Sequence, residues 1–121
     1  VLICKGNCDS EVDQLVLNTP IQSPYVHAFA DGRHIVATHG HMVESDEAKD
    51  AMAAAIKADI FISGHVHYTV LEKRGNTVFL NPGSPSLSKR EDGRQTCAVI
   101  SDVDIKVYDV NTAEVLMEYN F

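Results

Sequence analysis

Ile60-Phe61-Ile62-Ser63-Gly64-His65-Val66-His67 is the stretch on which the fold turns: a short apolar run leads straight into a glycine and two histidines one residue apart. A strand this apolar has no polar face to show to water, so it is expected inside a sheet covered on both sides. Polar residues at its carboxyl end then fall where open α/β sheets collect their ligands. Alternate residues of an extended segment point the same way, so the two imidazoles are expected to converge on one site or on two neighbouring metals. Imidazole ligates zinc, iron, nickel and manganese-type ions. One such motif alone is read equally well as a pair of polar loop histidines.

Working outward, the pattern recurs. Residues 34–38 predict a second strand, which ends on His39-Gly40-His41, and residues 26–30 pair with it through an Asp31-Gly32 hairpin turn. Four of the six histidines lie in these two motifs, and the repetition favours metal binding over the loop reading. His27 and His34 fall in strand sequence, where a solvated or hydrogen-bonded side chain explains them. Residues 1–4, Val1-Leu2-Ile3-Cys4, read as an apolar strand of parallel-sheet type. The turn Gly6-Asn7-Cys8-Asp9 follows, then a helix over about residues 11–17 with Ser10 and Asp13 at capping-box spacing and Val12, Leu15 and Val16 on one face. Asn7 thereby offers an oxygen donor at a third strand end, although an Asn in such a turn is ordinarily only a turn former.

Asp46 and Glu47 open an Ala-rich helix that runs to about residue 58, with Ala48, Met52, Ala55 and Ile56 on its apolar side. After His67 the period becomes two. Residues 70–74 and 77–80 form a hairpin about Gly75-Asn76, Asn81-Pro82-Gly83-Ser84-Pro85 closes it as a rigid loop, and residues 86–93 make an exposed connection. Strands over residues 96–100, 105–110 and 115–119 complete the chain. Apolar strands and helices followed by an antiparallel run predict an α/β layered domain rather than a barrel or a bundle.

Composition narrows the function classes. With 121 residues and 45% hydrophobic content, the chain can bury one core and shows no break between two units, so residues 1–121 read as one domain or part of one. Its net charge of −7 comes from 17 acidic and 10 basic residues without long blocks, which argues against duplex nucleic acid or an anionic membrane as the main partner. Three cysteines are too few for a disulfide framework, and a reducing cytosol is the expected compartment. No apolar run approaches the roughly 18 residues of a spanning helix, and no signal peptide is visible.

The motifs Gly6-Asn7-Cys8-Asp9, Thr38-His39-Gly40-His41, Gly64-His65-Val66-His67 and Asn81-Pro82-Gly83-Ser84 together resemble the later signature motifs of calcineurin-like metallophosphoesterases. They are most similar to the small bacterial and archaeal phosphodiesterase branch, which also includes the retromer scaffold subunit. The resemblance implies a layered α/β/β/α sandwich and a pair of close divalent ions (Mn, Zn, Fe or Ni) whose bridging hydroxide attacks phosphorus in line. By the same resemblance Asn7, His39 and His65 hold one metal and His67 the other, while Gly83 and Ser84 support the site. Cys8 stands where many members carry a histidine that protonates the leaving group. A thiol ordinarily keeps its proton at neutral pH but is the less adaptable acid, so His41 is a second candidate for proton donor or phosphate contact.

The family's first two motifs, an Asp-x-His and a Gly-Asp, have no counterpart in residues 1–121. The sequence is therefore expected to be an N-terminally truncated or split form, missing its first strands and helices and binding one metal or none by itself. Three readings follow. The first is a cytosolic metal-dependent phosphodiesterase or phosphatase acting on a small phosphodiester or nucleotide-like substrate, completed by another copy or by a separate N-terminal segment. The second is a non-catalytic scaffold of the same fold. The third is a structural zinc site using Cys4 and Cys8, which is disfavoured because Cys4 is expected to face the core.

Overall fold

The computed structural model describes every residue except Val1, Asp9, Ser23 and Met42, together with all side chains of the described residues but that of Val12. Val1 of the expected first strand and Asp9 of the expected turn thus lie outside the described residues. The elements run β1 (Ile3–Cys4), α1 (Glu11–Val16), β2 (Ile21–Gln22), β3 (Val26–Ala30), β4 (Arg33–Thr38), α2 (Asp46–Ile56), β5 (Ile60–Ser63), β6 (Thr69–Arg74), β7 (Thr77–Pro82), β8 (Thr96–Ile100), β9 (Asp104–Asp109) and β10 (Val115–Asn120). They build a mixed α/β fold with a five-stranded sheet in the order β3-β4-β5-β7-β6, a three-stranded sheet in the order β10-β9-β8, and a two-stranded β1-β2 ladder.

Strand β5 is the organising element. It lies between β4 and β7, parallel to both, and Ile60 and Phe61 are fully buried. Because successive side chains of a strand take opposite faces, these two residues seed two different cores. Phe61 packs with Val36, Ala53, Ala58 and Phe79 beneath α2. Ile60 packs with Val78, Leu80, Ile105 and Val107 between the two larger sheets. Full burial of each such side chain contributes about 1.5–3 kcal/mol, which is why an unbroken apolar run sits here. Helix α2, the five-stranded sheet and the three-stranded sheet are therefore stacked as three layers.

Helix α2 begins where its sequence says it should: Ser45 Oγ accepts from Ala48 N at 3.1 Å. Its buried side matches the expected one only in part. Ala53 is buried with Met52 and Ile56 packed beside it, whereas Ala48 and Ala55 are exposed. Alanines all around a helix leave its hydrophobic stripe without a sharp phase, so packing against Phe61 and Phe79 chooses the angle.

The amino-terminal elements are more open than expected. Ser10 N donates to the Asp13 carboxylate at 2.7 Å, as the capping-box spacing predicts. Leu15 and Val16 are nevertheless 85% and 77% exposed, so the apolar side of this six-residue helix is not packed among the described residues. Strand β1 runs parallel to β2, with Ile3 opposite Ile21, and is half-buried rather than covered on both faces.

Candidate metal centre

The site begins from a register. Thr38 of β4 and Ser63 of β5 are paired in parallel, so the residues that follow leave the sheet side by side. Gly64 N donates to His39 O at 2.8 Å and closes the gap between the two histidine motifs. A side chain at Gly40 would meet Gly64 O at 3.1 Å, and its φ of +107° lies in the region glycine favours, so this contact requires the glycine between the histidines. His39 Nε2 and His65 Nδ1 then stand 3.2 Å apart.

The end of β1 arrives at the same place. Cys4 Sγ lies 3.8 Å from Ala37 O, and Gly6, Asn7 and Cys8 follow. Together with Cys4, they share with His39, His65 and His67 the lining of one open cavity of about 390 Å³. Cys4 was expected to face the core; as the last residue of a two-residue strand it turns toward this cavity instead.

The histidines of Gly64-His65-Val66-His67 do reach one cavity, but not by the alternation of an extended segment. Val66 N donates to Gly64 O at 2.9 Å around His65, whose φ is +72°, and His67 follows with φ +59°. This is a tight three-residue turn of the rare left-handed kind, and each such residue costs about 1–3 kcal/mol. The surroundings hold it. Buried Asn81 donates to Gly64 O at 3.4 Å and accepts from Gly83 N at 3.0 Å, and Lys89 N donates to His67 O at 2.8 Å. Gly83 is fixed in turn: a Cβ there would lie 2.1 Å from Thr96 Oγ1, which donates to Pro82 O. Asn81-Pro82-Gly83-Ser84 thus braces the histidine turn from behind.

Glu44 is a member of the site that sequence reasoning missed. Its Oε1 lies 3.3 Å from His65 Nε2, on the far side of the ring from His39. A carboxylate there holds the Nε2 proton and leaves Nδ1 as the lone-pair nitrogen, the usual way a ligating histidine is oriented. The only signal in the sequence was an acidic residue three positions after His41. His41 itself packs against the pair, with ring centroids 5.3 Å from His39 and 6.2 Å from His65. Its Nδ1 is buried without a hydrogen-bond partner, and its ring is not part of the cavity wall.

The spacing of two of these donors is compatible with a shared ion. Two nitrogens about 2.0–2.1 Å from a shared tetrahedral ion stand roughly 3.3 Å apart, close to the 3.2 Å between His39 Nε2 and His65 Nδ1. The Asn7 amide supplies an oxygen donor in the same cavity, and His67 an additional imidazole. Among the described residues, however, no group of three or more His, Cys, Asp or Glu side chains is arranged to hold an ion. Glu44 cannot complete such a group, because it takes the opposite nitrogen of His65.

A larger cavity, of about 660 Å³, lies at the opposite end of the sheet around Lys57, Asp59, Arg74 and Asn76. Its principal cation is already matched: Arg74 bonds Asp50 and Glu72 and covers the ring of Phe79. Volume alone therefore does not identify the site.

A parallel β4-β5-β7 core beneath a helix, backed by an antiparallel sheet and carrying imidazoles at its carboxyl strand ends, defines a layered α/β domain with a candidate metal site. The model of the calcineurin-like phosphoesterase superfamily domain matches residues 1–105, and the chain belongs to that family. It is 37% identical over 89 residues to phosphodiesterase YfcE of Escherichia coli strain K12, an alignment covering 74% of this chain and 46% of that protein. The solved structure of YfcE, a phosphoesterase from E. coli, has a TM-score of 0.82 at 27% identity, covering 98% of this chain and 63% of that one. Vps29 of Entamoeba histolytica complexed with Zn²⁺ shares the fold with a TM-score of 0.68 at 22% identity, over 99% of this chain and 68% of that one. The chain thus spans about half the length of the curated relatives it matches, 46%. No helix among the described residues is long and apolar enough to cross a membrane.

Proposed function

We propose that this domain is the histidine-bearing part of a metal-dependent phosphodiesterase that cleaves small phosphodiester or nucleotide-like substrates in the cytoplasm. One observation carries the reading: Asn7, Cys8, His39, His65 and His67 arrive from three separate strand ends at one cavity. His39 and His65, with Asn7, would hold one divalent ion, such as manganese, and His67 would serve a second. When bound, such ions polarise the phosphoryl oxygens and lower the pKa of water at the site. The chain's own residues do the positioning. Glu44 fixes the His65 ring, Asn81 and Lys89 fix the turn that carries it, and His41 packs behind His39. Cys8, exposed at the cavity, would hand a proton to the departing oxygen.

Among the described residues His67 is the one left for a second ion, so the 121 residues alone are expected to bind one Mn²⁺ and to hydrolyse bis(p-nitrophenyl) phosphate slowly. Calorimetric titration with Mn²⁺ tests this, with His39→Ala and His65→Ala each losing the bound ion. Fast turnover by these residues alone would overturn the one-ion part. A folded chain that binds no divalent ion at all would instead favour a non-catalytic scaffold, the reading that the shared fold with Vps29 keeps in play. One zinc that depends on Cys4 and Cys8 would favour a structural site. Exposed Leu2, Leu15 and Val16 supply an apolar surface for a second copy or a separate segment, which light scattering checks; a strict monomer would count against self-association.

A further inference from the structure

Residues 86–93 were expected to be no more than an exposed connection, yet Lys89, Arg90, Glu91 and Asp92 line a second hollow near the metal centre. This cavity, of about 430 Å³, is lined by Tyr68, Thr69, Lys89, Arg90, Glu91 and Asp92. Two of its lining residues meet His67 of the metal cavity: Tyr68 follows it in sequence, and Lys89 N donates to its carbonyl at 2.8 Å. A substrate with its phosphorus beside His67 therefore has a ready place for one of its two substituents.

The lining says what kind of substituent. Tyr68 is 47% exposed and stands between this hollow and a neighbouring one, lining both. Arg90 and Asp92 form the frame: Arg90 donates to both Asp92 carboxylate oxygens at 2.9 Å and to Thr69 Oγ1 at 2.6 Å, so its charge is already satisfied. Ser88 Oγ accepts from Arg90 N, and Asp92 accepts from Arg94 N, which makes the loop a braced wall rather than a loose flap. Lys89 is the cation of this wall with no ion pair among the described residues. One exposed aromatic residue, the Lys89 ammonium and the Glu91 carboxylate, neither of these two charges in an ion pair among the described residues, suit a flat group that bears both hydrogen-bond acceptors and donors.

We infer that this hollow is a nucleobase subsite, in which Tyr68 stacks on the base and Lys89 donates to its ring acceptors, making nucleotide phosphoesters the preferred substrates. The inference rests on the phosphoesterase reading above and goes beyond it in naming the substituent. Stacking of a base on an aromatic side chain strengthens binding roughly tenfold or more.

The test compares three probes, by calorimetry in saturating Mn²⁺ and by amide shifts in saturating diamagnetic Zn²⁺: inorganic phosphate, ribose 5-phosphate and adenosine 5′-monophosphate. The nucleotide is expected to bind about tenfold more tightly than the sugar phosphate and to shift Tyr68 and Lys89. Tyr68→Ala should erase that difference while leaving the affinity for inorganic phosphate unchanged, Tyr68→Phe should keep it, and Lys89→Ala should reduce it several-fold. Phosphate binding at His67 with no gain from the base, or a gain that survives Tyr68→Ala, would sink the subsite alone. Failure of inorganic phosphate to bind wild-type protein would sink the phosphoesterase reading beneath it, a distinguishable result.

Discussion

Two pairs of histidines in this molecule have nearly the same geometry and very different surroundings. His39 and His65 approach to 3.2 Å between ring nitrogens, and His27 and His34 to 3.1 Å. The second pair lies on the β3-β4 hairpin at the sheet edge, where His34 also stacks on Phe29 at 4.5 Å between ring centroids. Regular strand geometry suffices to make it. The first pair needs a parallel register, a glycine against a carbonyl, a left-handed turn and a buried asparagine behind it. Only that pair shares a cavity with Asn7, Cys8 and His67 and has a carboxylate on its outer nitrogen. Nitrogen spacing alone does not mark a candidate metal centre; the invested backbone and the convergent donors do.

The sharpest way to break the comparison is to remove a ring from the cavity. His65→Ala is expected to weaken Mn²⁺ binding at least about 100-fold, read by calorimetry, since it deletes a ligand together with its oriented partner. An unchanged Kd would reduce the cavity pair to the status of the hairpin pair. Next in size is Gly83→Ala, whose new Cβ would collide with Thr96 and must adopt φ +78°. Overpacking of this kind costs about 1–3 kcal/mol, seen as a lower Tm. Histidine resonances of the cavity pair should move with it, while those of His27 and His34 stay in place.

Glu44→Gln should have a smaller effect, about tenfold on Mn²⁺ affinity, the low end for a group that orients a ligand because Glu44 is largely solvent-exposed. Loss of no affinity would show that His65 is oriented by packing alone.

A pH titration probes the wall beside His67. Hydrogen bonds from the Arg90 guanidinium and the Arg94 amide hold the Asp92 carboxyl at about 2, below its ordinary 3.8. A depressed carboxylate stabilises the fold above its unfolded pKa and loses that contribution as pH falls through the folded value, so the wall should loosen between about pH 4 and pH 2. Carboxyl NMR should place the Asp92 midpoint near 2, and Arg90→Ala should move it up toward 3.8. The smallest effect expected is none: His27→Ala should leave Mn²⁺ binding at the cavity unchanged, and a marked loss would mean that the two pairs communicate.

Much of this could be read from the chain itself. Residues 26–30, 60–63 and 96–100 were expected as strands and are β3, β5 and β8 with those bounds. Their signals are local: an apolar run, an Asp-Gly turn, a period of two. The positions of Asn7, His39, His65 and His67 at strand ends were legible for the same reason. Glu44, Cys4 and the wall formed by Tyr68 and Lys89 were not, because each matters through a neighbour distant in sequence. On α2, Met52 and Ile56 were placed correctly, but Ala48 and Ala55 were not, because alanine hardly marks a face.

By itself, then, the sequence determined where strands end and which polar residues stand there, since alternation, turn residues and apolar runs act within a few residues. Tertiary structure decided how those residues meet. The γ-turn at His65 is unfavourable on its own, and no local preference would select it over an extended chain. It persists because Asn81, Gly83 and Lys89, brought up by β7 and the loop that follows it, offset its strain with hydrogen bonds that exist only in the folded protein.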